Sequence, residues 1–223
     1  MSNVYGPNLV RNGLVLLLDA ANTRSYPGSG TTWSDLSGNG YNATLVNGPT
    51  VSSSGVELDG NDDYIAVSHS GDLAFTSGNF TIAVWHNYSG GTGYGGIITN
   101  DSSGDAAWKI KKDTGQAYFR GQAYNHNVGF PSYTLDTFHY YVMTQTPSLL
   151  QLYFNGVAGN SVTVTTNPNS ANNIAFGSYR YDDAGNGNYL NNQTIGLTEI
   201  YNRALTSSEV LQNFNAHKGR FGL

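Results

Sequence analysis

The chain has 223 residues, no cysteine and a formal net charge of −5. This length fits one all-β domain with a sizeable core, which neither a disulfide nor a thiolate metal site can stabilise. Charged residues make up only 11% of the chain, which excludes the clustered basic surface of a nucleic-acid-binding protein. No apolar run is long enough for a membrane-spanning helix.

The start of the chain, MSNVYGPNLV, has neither a basic region nor an apolar core, so we expect no signal peptide. The absence of cysteine favours folding in a reducing cytoplasm. We interpret residues 1–12 as an N-terminal arm and residues 13–223 as one domain, because no linker divides the chain. After a first predicted strand at 14–19, a loop-rich region is expected to be anchored by Trp33, Leu36 and Leu45.

Short segments of alternating polarity follow, separated by clusters of Gly, Asn, Ser and Pro. This pattern is typical of a β-sandwich or barrel. In FTIAVWHN, at 80–87, both faces are largely apolar, which predicts a central strand. The other predicted strands are 56–59, 64–68, 95–99, 106–112, 116–120, 138–145, 149–154, 161–165, 173–178 and 195–201.

Local signals predict one hairpin and one helix. In YFNGVA, Asn155 and Gly156 separate two strand-like runs, which predicts a type I′ turn because both positions need positive φ. Near the end of the chain, Thr206 precedes Glu209 by the spacing of a capping box, which marks a helix start. The predicted helix has an apolar stripe and a glycine stop, formed by Val210, Leu211, Phe214 and Gly219.

The stretch VELDGNDDYIAV, at 56–67, concentrates carboxylates in a way that a retaining glycosidase could use. Such chemistry needs two carboxyls about 5–5.5 Å apart, and Glu57 and Asp59 share one strand face. Alternation directs Val56 and Leu58 to the core, however, and leaves both acids facing outward. We therefore assign no catalytic residue.

The same stretch could bind calcium, which prefers six to eight oxygen ligands. Asp62 and Asp63 are the candidate ligands, beside Asp59 and Asn61. In the alternative interpretation, which we favour, Asp62 and Asp63 cap turn amides or pair with Arg203. No cofactor is expected, although calcium stays open. The five histidines are dispersed, so no histidine metal site is predicted.

The phrase GLVLLLDAANTRSYPGSGTTWSDLSGNGYNATLVNGPT, at 13–50, resembles the leader of laminin-G-like jelly rolls in the concanavalin A-like lectin/glucanase superfamily. More narrowly, it is similar to versions in bacteriophage structural proteins. The resemblance continues through VELDGNDDYIAV, SGNFTIAVWHNY, LQLYFNGV and IYNRALTSSEVLQNFNAHKGRFGL. It implies an antiparallel two-sheet jelly-roll β-sandwich with one short C-terminal helix.

The resemblance is more specific for the fold than for an activity. The superfamily includes lectins, glycosidases, adhesion modules and virion parts. Two positions depart from its pattern: Phe138 replaces a tryptophan of many relatives, and Gly196 and Leu197 replace an acidic pair. The second departure argues against transferring an acidic site to that region.

Three stretches combine aromatic rings with amides or carboxylates, the mixture that holds a sugar ring and its hydroxyls: 87–96, 118–130 and 179–192. Tyrosines also fill β-sandwich cores, so a structural role is the alternative for each stretch. The candidate glycan-binding residues are Tyr179, Tyr181, Asp182, Asp183, Asn186, Tyr189, Tyr94 and Tyr124.

The resemblance and these loops lead us to expect a non-enzymatic virion surface protein of a bacteriophage that binds cell-surface or environmental glycans, or mediates adhesion. Other virion proteins are the further expected partners, in a multicopy or homo-oligomeric arrangement without nucleic acid or membrane insertion. The protein would be made in the host cytoplasm and located in the virion. The alternatives are a purely structural decoration or fibre-anchoring subunit that docks through residues 1–12, and a glycoside hydrolase that uses Glu57.

Overall fold

The computed structural model describes residues 7–68, 73, 75, 78–90, 94–100, 108–113, 116–119, 128–164, 173–178 and 190–223. The elements are, in chain order, β1 (Leu14–Asp19), β2 (Thr32–Trp33), β3 (Ala43–Val46), β4 (Thr50–Val51), β5 (Val56–Asp59), β6 (Tyr64–Val67), β7 (Phe80–Gly90), β8 (Tyr94–Thr99), β9 (Lys109–Asp113), β10 (Gln116–Phe119), β11 (Val128–Ser132), β12 (Phe138–Gln145), β13 (Leu149–Phe154), β14 (Val157–Thr163), β15 (Ile174–Phe176), β16 (Asn192–Tyr201) and α1 (Ser207–His217).

These strands form two antiparallel sheets that pack face to face, which confirms the predicted β-sandwich. Sheet A has the order β14-β13-β12-β7-β16-β5-β4, with β1 also paired to β16. Sheet B has the order β11-β10-β9-β8-β15-β6-β3-β2. A single core cluster contains Ile82 and Tyr141 of sheet A together with Ile65 and Phe176 of sheet B, so the two inner faces bury each other.

β7 lies in the middle of sheet A, between β12 and β16, as its two apolar faces predict. On the inner face, Phe80 and Val84 join the core between the sheets. On the opposite face, which we call the outer face, Trp85 stacks on Tyr140 and Phe221, with ring centroids 4.9 and 4.4 Å apart. Sheet A is therefore buried on both sides near its centre.

The outer face is covered by α1 and by the end of the chain. The capping box is confirmed, since Thr206 accepts a hydrogen bond from the Glu209 amide and the Glu209 side chain bonds back to the Thr206 amide. Val210 is buried, but Leu211 is 45% exposed and the inward position is taken by Asn213. Residues three apart share one face of a helix, so the side chains of Val210 and Asn213 both face sheet A. Leu211 lies on a different face and points to solvent.

The Asn155–Gly156 turn also forms as predicted, with φ values of 50° and 79°. The predicted strand at 106–112 begins at Lys109, and the one at 161–165 lies earlier, at Val157–Thr163. The short strands β2, β3, β4 and β11 were not predicted, because two to five residues carry too little alternation. No helix among the described residues is long and apolar enough to cross a membrane.

Candidate functional site

One end of the sandwich, which we call the polar end, joins segments that are distant in sequence. At this end Asn192, the first residue of β16, is paired with Asp59 of β5 on one side and with Gly90 of β7 on the other. The acidic turn 60–63 follows Asp59, and β8 begins nearby at Tyr94. The antiparallel registers thus place the start of the acidic turn and the end of β7 on either side of the first residue of β16.

Both described ends of segment 179–189 also lie at the polar end. Just before the segment, a Cβ added to Gly177 would lie 3.5 Å from the Asp63 carbonyl oxygen. Just after the segment, the Asn192 amide nitrogen would lie only 2.8 Å from a Cβ added to Gly60 in the acidic turn. Glycine permits these close approaches. The segment therefore leaves and re-enters the sandwich next to the acidic turn.

Most of the predicted glycan-binding side chains lie outside the described residues. These are Tyr179, Tyr181, Asp182, Asp183, Asn186, Tyr189 and Tyr124, and of Tyr94 only the backbone at the start of β8 is described. The strand ends that flank Tyr124, Phe119 and Val128, pair away from the polar end, because Phe119 is opposite Ile110 whereas Gln116 is opposite Asp113. The described residues that flank two of the three predicted stretches therefore lie at the polar end, and those that flank the third do not.

Hydrogen bonds within the acidic turn account for much of its polarity. The Asp59 carboxylate accepts from the Asn61 amide nitrogen and from Asn61 Nδ2, each at 2.8 Å. Asp63 Oδ2 accepts from the Asp59 amide at 3.2 Å. The Asp62 carbonyl accepts from Asn47 Nδ2 at 2.8 Å, which ties the turn to the residue after β3. Asp63 thus caps a backbone amide, as predicted by the interpretation that we favour over calcium binding.

The pKa values of two of these carboxyls move in opposite directions. The hydrogen bonds from Asn61 lower the pKa of Asp59, because they stabilise its charged form. Burial raises the pKa of Asp63, and the nearby charges of Asp59 and Asp62 raise it further. The turn therefore holds concentrated negative charge that a cation would relieve.

The acidic turn fits part of a calcium shell. Asp59, Asp62 and Asp63 each place one carboxylate oxygen within 4.8 Å of the others. Carboxylate oxygens are the ligands that calcium prefers, although six to eight oxygens are needed and some of these already accept hydrogen bonds. The turn is compatible with calcium and would need ligands from elsewhere to complete the shell.

The predicted pairing of Asp62 or Asp63 with Arg203 is wrong. Arg203 instead donates to both carboxylate oxygens of Glu209, with Nη2 2.6 Å from Oε1 and Nη1 2.9 Å from Oε2. This pair joins the end of β16 to the first turn of α1. It lowers the pKa of Glu209 to about 2, chiefly through the hydrogen bonds from Arg203.

Beneath the polar end, polar side chains enter the space between the sheets. His86 Nε2 lies 2.8 Å from Gln193 Oε1, and Gln193 Nε2 donates to the Gly96 carbonyl at 3.1 Å. Lys112 Nζ donates to the Tyr88 hydroxyl and lies 4.0 Å from the centre of that ring. Full burial lowers the pKa of His86 to about 3, so this histidine is neutral at physiological pH.

The candidate catalytic acid Glu57 faces away from the core, as alternation predicts. Val56 and Leu58 are buried, whereas Glu57 and Asp59 are exposed. Glu57 Oε1 accepts a hydrogen bond from Ser52 Oγ at 3.0 Å. Its carboxyl therefore does not reach the space between the sheets.

One carboxyl with a strongly raised pKa is a residue that the sequence did not single out. Glu199 of β16 is fully buried under α1, where its Oε2 accepts from Tyr140 Oη at 2.9 Å and from Asn213 Nδ2 at 2.8 Å. Asn213 also accepts from the Val10 amide at 2.9 Å, and Tyr201 donates to the Val10 carbonyl at 3.0 Å. Burial raises the pKa of Glu199 to about 7. The sequence feature that could have revealed this buried carboxyl is a glutamate within the apolar end of a predicted strand.

Glu199 therefore belongs to a structural network. Its hydrogen-bond partners come from sheet A, from α1 and, through Asn213, from the N-terminal segment. The segment around Val10 is thereby fixed to the outer face, although residues 1–12 were interpreted as an arm. The arm boundary at residue 12 stays a prediction.

Solved structures with the same fold include a sialidase and toxin binding domains. The chain is similar to Trypanosoma rangeli sialidase in complex with a difluorinated nononic acid, with 20% identity and a TM-score of 0.72 over 93% of this chain and 33% of that chain. It is also similar to the botulinum neurotoxin serotype D binding domain, with 15% identity and a TM-score of 0.72 over 92% of this chain and 52% of that chain. The chain thus spans a third to a half of these proteins.

A third similar structure is the binding domain of botulinum neurotoxin DC in complex with SialylT, with 15% identity and a TM-score of 0.71 over 92% of this chain and 52% of that chain. At these identities the similarity shows the fold alone. No curated protein matches the sequence. The model of a laminin-G-like family, described as the concanavalin A-like lectin/glucanases superfamily, matches residues 59–211. The chain therefore belongs to the concanavalin A-like lectin/glucanase superfamily.

Proposed function

We propose that the chain is a glycan-binding module without catalytic activity and that its binding surface is the polar end of the sandwich. The observation that carries the proposal is that the acidic turn, the end of β7 and the described residues on both sides of segment 179–189 lie at that end. Segment 179–189 is rich in tyrosine, aspartate and asparagine. Aromatic faces and carboxylates on neighbouring loops are suited to a sugar ring and its hydroxyls.

Proteins of the same fold make sialylated glycans the first ligands to test. One of the similar structures is Trypanosoma rangeli sialidase in complex with sialic acid, and another is the toxin binding domain in complex with SialylT. Those ligands belong to those proteins, and this chain shares their fold at 15–20% identity. The binding experiment below therefore compares sialylated glycans with neutral ones.

The positions of the described glutamates support a binding role over a hydrolytic one. Glycosidases place two carboxyls on opposite sides of a scissile bond in a cleft. Glu57 faces solvent from β5, Glu209 is bound by Arg203, and Glu199 is sealed under α1. None of the three glutamates therefore faces the space between the sheets at the polar end.

We propose further that the module is displayed in many copies on a bacteriophage particle, after synthesis in the host cytoplasm. This part is supported by the phrases at 13–50 and 200–223 that resemble bacteriophage structural proteins. Many copies would turn weak sugar contacts into firm attachment, since linked sites raise the effective concentration of ligand.

The test is a glycan array probed with the protein clustered on a multivalent support. We expect binding to be lost in a Tyr181→Ala/Asp182→Asn variant and kept in Tyr124→Ala, because the strands flanking Tyr124 end away from the polar end. Calcium chloride and EDTA form two further arms, which test whether the acidic turn contributes through a cation. Equal loss in both variants, or no binding to any glycan, would contradict the proposal.

A purely structural role in the virion is the second candidate, and strand β14 favours it. This edge strand of sheet A is exposed along most of its length, carries no charged residue and presents Val157 at 68% exposure. Although Asn160 Nδ2 donates to the Gly129 carbonyl of β11, solvent-exposed edge strands pair readily with other chains, and a lysine on the edge opposes such pairing. Ser161→Lys should then reduce incorporation into particles, whereas the control Ser208→Lys on α1 should not.

The N-terminal arm can be tested in the same particles. Removing residues 1–6 leaves the contacts of Val10 with α1 intact, whereas removing residues 1–12 also deletes a buried valine. A docking arm predicts loss of incorporation in both truncations. Normal incorporation of the shorter truncation would contradict a docking role for residues 1–6.

A further inference from the structure

The outer face of sheet A contains a cavity of about 260 Å³ that the proposed function does not use. Its walls come from separate parts of the chain: the N-terminal segment, the β1–β2 connection, β16 and the end of α1. The polar end is formed by other residues, so a ligand here would be independent of glycan binding.

The floor of the cavity is apolar. Leu17 of β1 and Leu197 of β16 form its base on the sheet, and both are buried. Leu9 and Leu36 line it from the N-terminal segment and the β2–β3 connection. Such a floor favours a compact apolar body over a sugar ring, whose hydroxyls would lose their water.

The rim of the cavity is cationic although the protein carries a net charge of −5. Arg11 and Arg24 both line the cavity, and neither guanidinium forms a hydrogen bond or an ion pair with any described residue. The carboxylate in the lining, Asp19, is already paired with Arg220, whose Nη1 lies 2.6 Å from Oδ1. The cavity therefore has unpaired positive charge at its rim.

His217 adds a buried polar atom to the cavity lining. This residue lines the cavity from the last turn of α1, and its Nε2 is buried without a hydrogen bond among the described residues. The nearest acid is Glu199, whose Oε1 lies 4.0 Å from Nε2, too far for a hydrogen bond. Buried polar atoms normally have a partner, and a ligand could supply one here.

We propose that this cavity is a binding site for a small carboxylate with a compact apolar body. The carboxylate binds the guanidinium groups of Arg11 and Arg24, because planar guanidinium and carboxylate groups form paired, charge-assisted hydrogen bonds. The apolar body packs on Leu17 and Leu197. Arg11 belongs to the N-terminal segment and Arg24 to the β1–β2 connection, so the ligand would contact two separate parts of the chain.

The experiment uses sodium benzoate and cyclohexanecarboxylate as probes, with benzamide as the uncharged isostere, and follows amide chemical shifts of the full chain by NMR. We expect saturable shifts for Leu9, Arg11 and Leu197 with both carboxylates and none with benzamide. Arg11→Gln and Arg24→Gln should each weaken benzoate binding by about tenfold, as expected for a lost charge-assisted hydrogen bond. Lys218→Gln, which removes the same charge outside the cavity lining, should leave the affinity unchanged.

The two arginine side chains form no hydrogen bonds within the described chain, so their variants are expected to fold normally, which melting temperatures will verify. Three results would overturn the proposal: no saturable shifts up to the solubility limit of benzoate, equal binding of benzamide, or equal weakening by Lys218→Gln. Glycan binding at the polar end should be the same in all of these variants. Failure of this site therefore leaves the proposed function untouched.

Discussion

Replacing Glu199 with glutamine should make the protein more stable at high pH. Glu199 is fully buried, and its Oε2 accepts hydrogen bonds from Tyr140 and Asn213. Burial raises its pKa from 4.5 to about 7, so the folded protein must bury a charge once the pH rises above that value. Glutamine has nearly the same shape, keeps an oxygen acceptor for both donors and stays neutral at every pH.

The size of the effect follows from proton linkage. Between pH 4.5 and about 7 the folded chain keeps a proton on Glu199 that the unfolded chain releases, so stability falls as the pH rises through this window. One pKa unit corresponds to about 1.4 kcal/mol, so the full loss is about 3 kcal/mol. Burial also lowers the pKa of His217, so this neighbour stays neutral in the upper part of the window and does not offset the charge.

The measurement is urea unfolding of the wild type and of Glu199→Gln, followed by tryptophan fluorescence at several pH values from about 4 to about 8. The difference in unfolding free energy between the two proteins should grow by about 3 kcal/mol in favour of the variant across this range. Titrating groups that do not interact with Glu199 contribute equally to the unfolding free energies of both proteins and cancel in this difference. Glu57→Gln, at an exposed site, is the control and should show a constant difference. Parallel profiles for wild type and Glu199→Gln would refute the reasoning, because they would mean that Glu199 titrates alike in both states.

Three further substitutions test other parts of the structure. Thr206→Ala removes the acceptor for the Glu209 amide and should cost about 1 kcal/mol in urea unfolding, whereas the first-turn control Ser208→Ala should not. Gly156→Ala should lower stability by about 2 kcal/mol, because φ is 79° and the new Cβ would lie 2.9 Å from Phe214 Cδ1; Gly159→Ala, whose nearest neighbour is 3.6 Å away, should be nearly neutral. Asp62→Asn should lower the pKa of Asp63, measured by carbon NMR titration, because it removes one of the charges that raise that pKa. An unchanged pKa would show that the two carboxyls do not interact.

The sequence was sufficient for the strands in which side-chain alternation is long or distinctive. The two apolar faces of residues 80–87 predict a central strand, and β7 lies between β12 and β16. The Asn155–Gly156 turn and the Thr206–Glu209 capping box depend on local backbone chemistry and form as predicted. The two-residue strands β2 and β4 were missed, since their pairing is decided by neighbours that are distant in sequence.

The candidate site was predicted less completely. The sequence predicted that Asp62 and Asp63 lie in a turn, where they either cap turn amides or pair with Arg203. Asp63 accepts from the Asp59 amide, whereas Arg203 binds Glu209. Among the three aromatic stretches the sequence favoured 179–192, because that stretch is long, polar and aromatic at once. Strand register brings the described ends of two of them to the polar end and leaves the described ends of the third apart. The predicted glycan contacts of segment 179–189 stay predictions.

The amino-acid sequence by itself determined most of the longer strands, the turn at Asn155–Gly156 that needs positive φ and the start of the helix, because these features depend on residues that are close together in the sequence. Only the tertiary structure decided which segments meet. The crossing order of sheet A places Asp59 beside Asn192, and the packing of α1 on the outer face buries Glu199 and raises its pKa to about 7. Burial and proximity arise from contacts across the whole chain, and a local pattern carries no information about them.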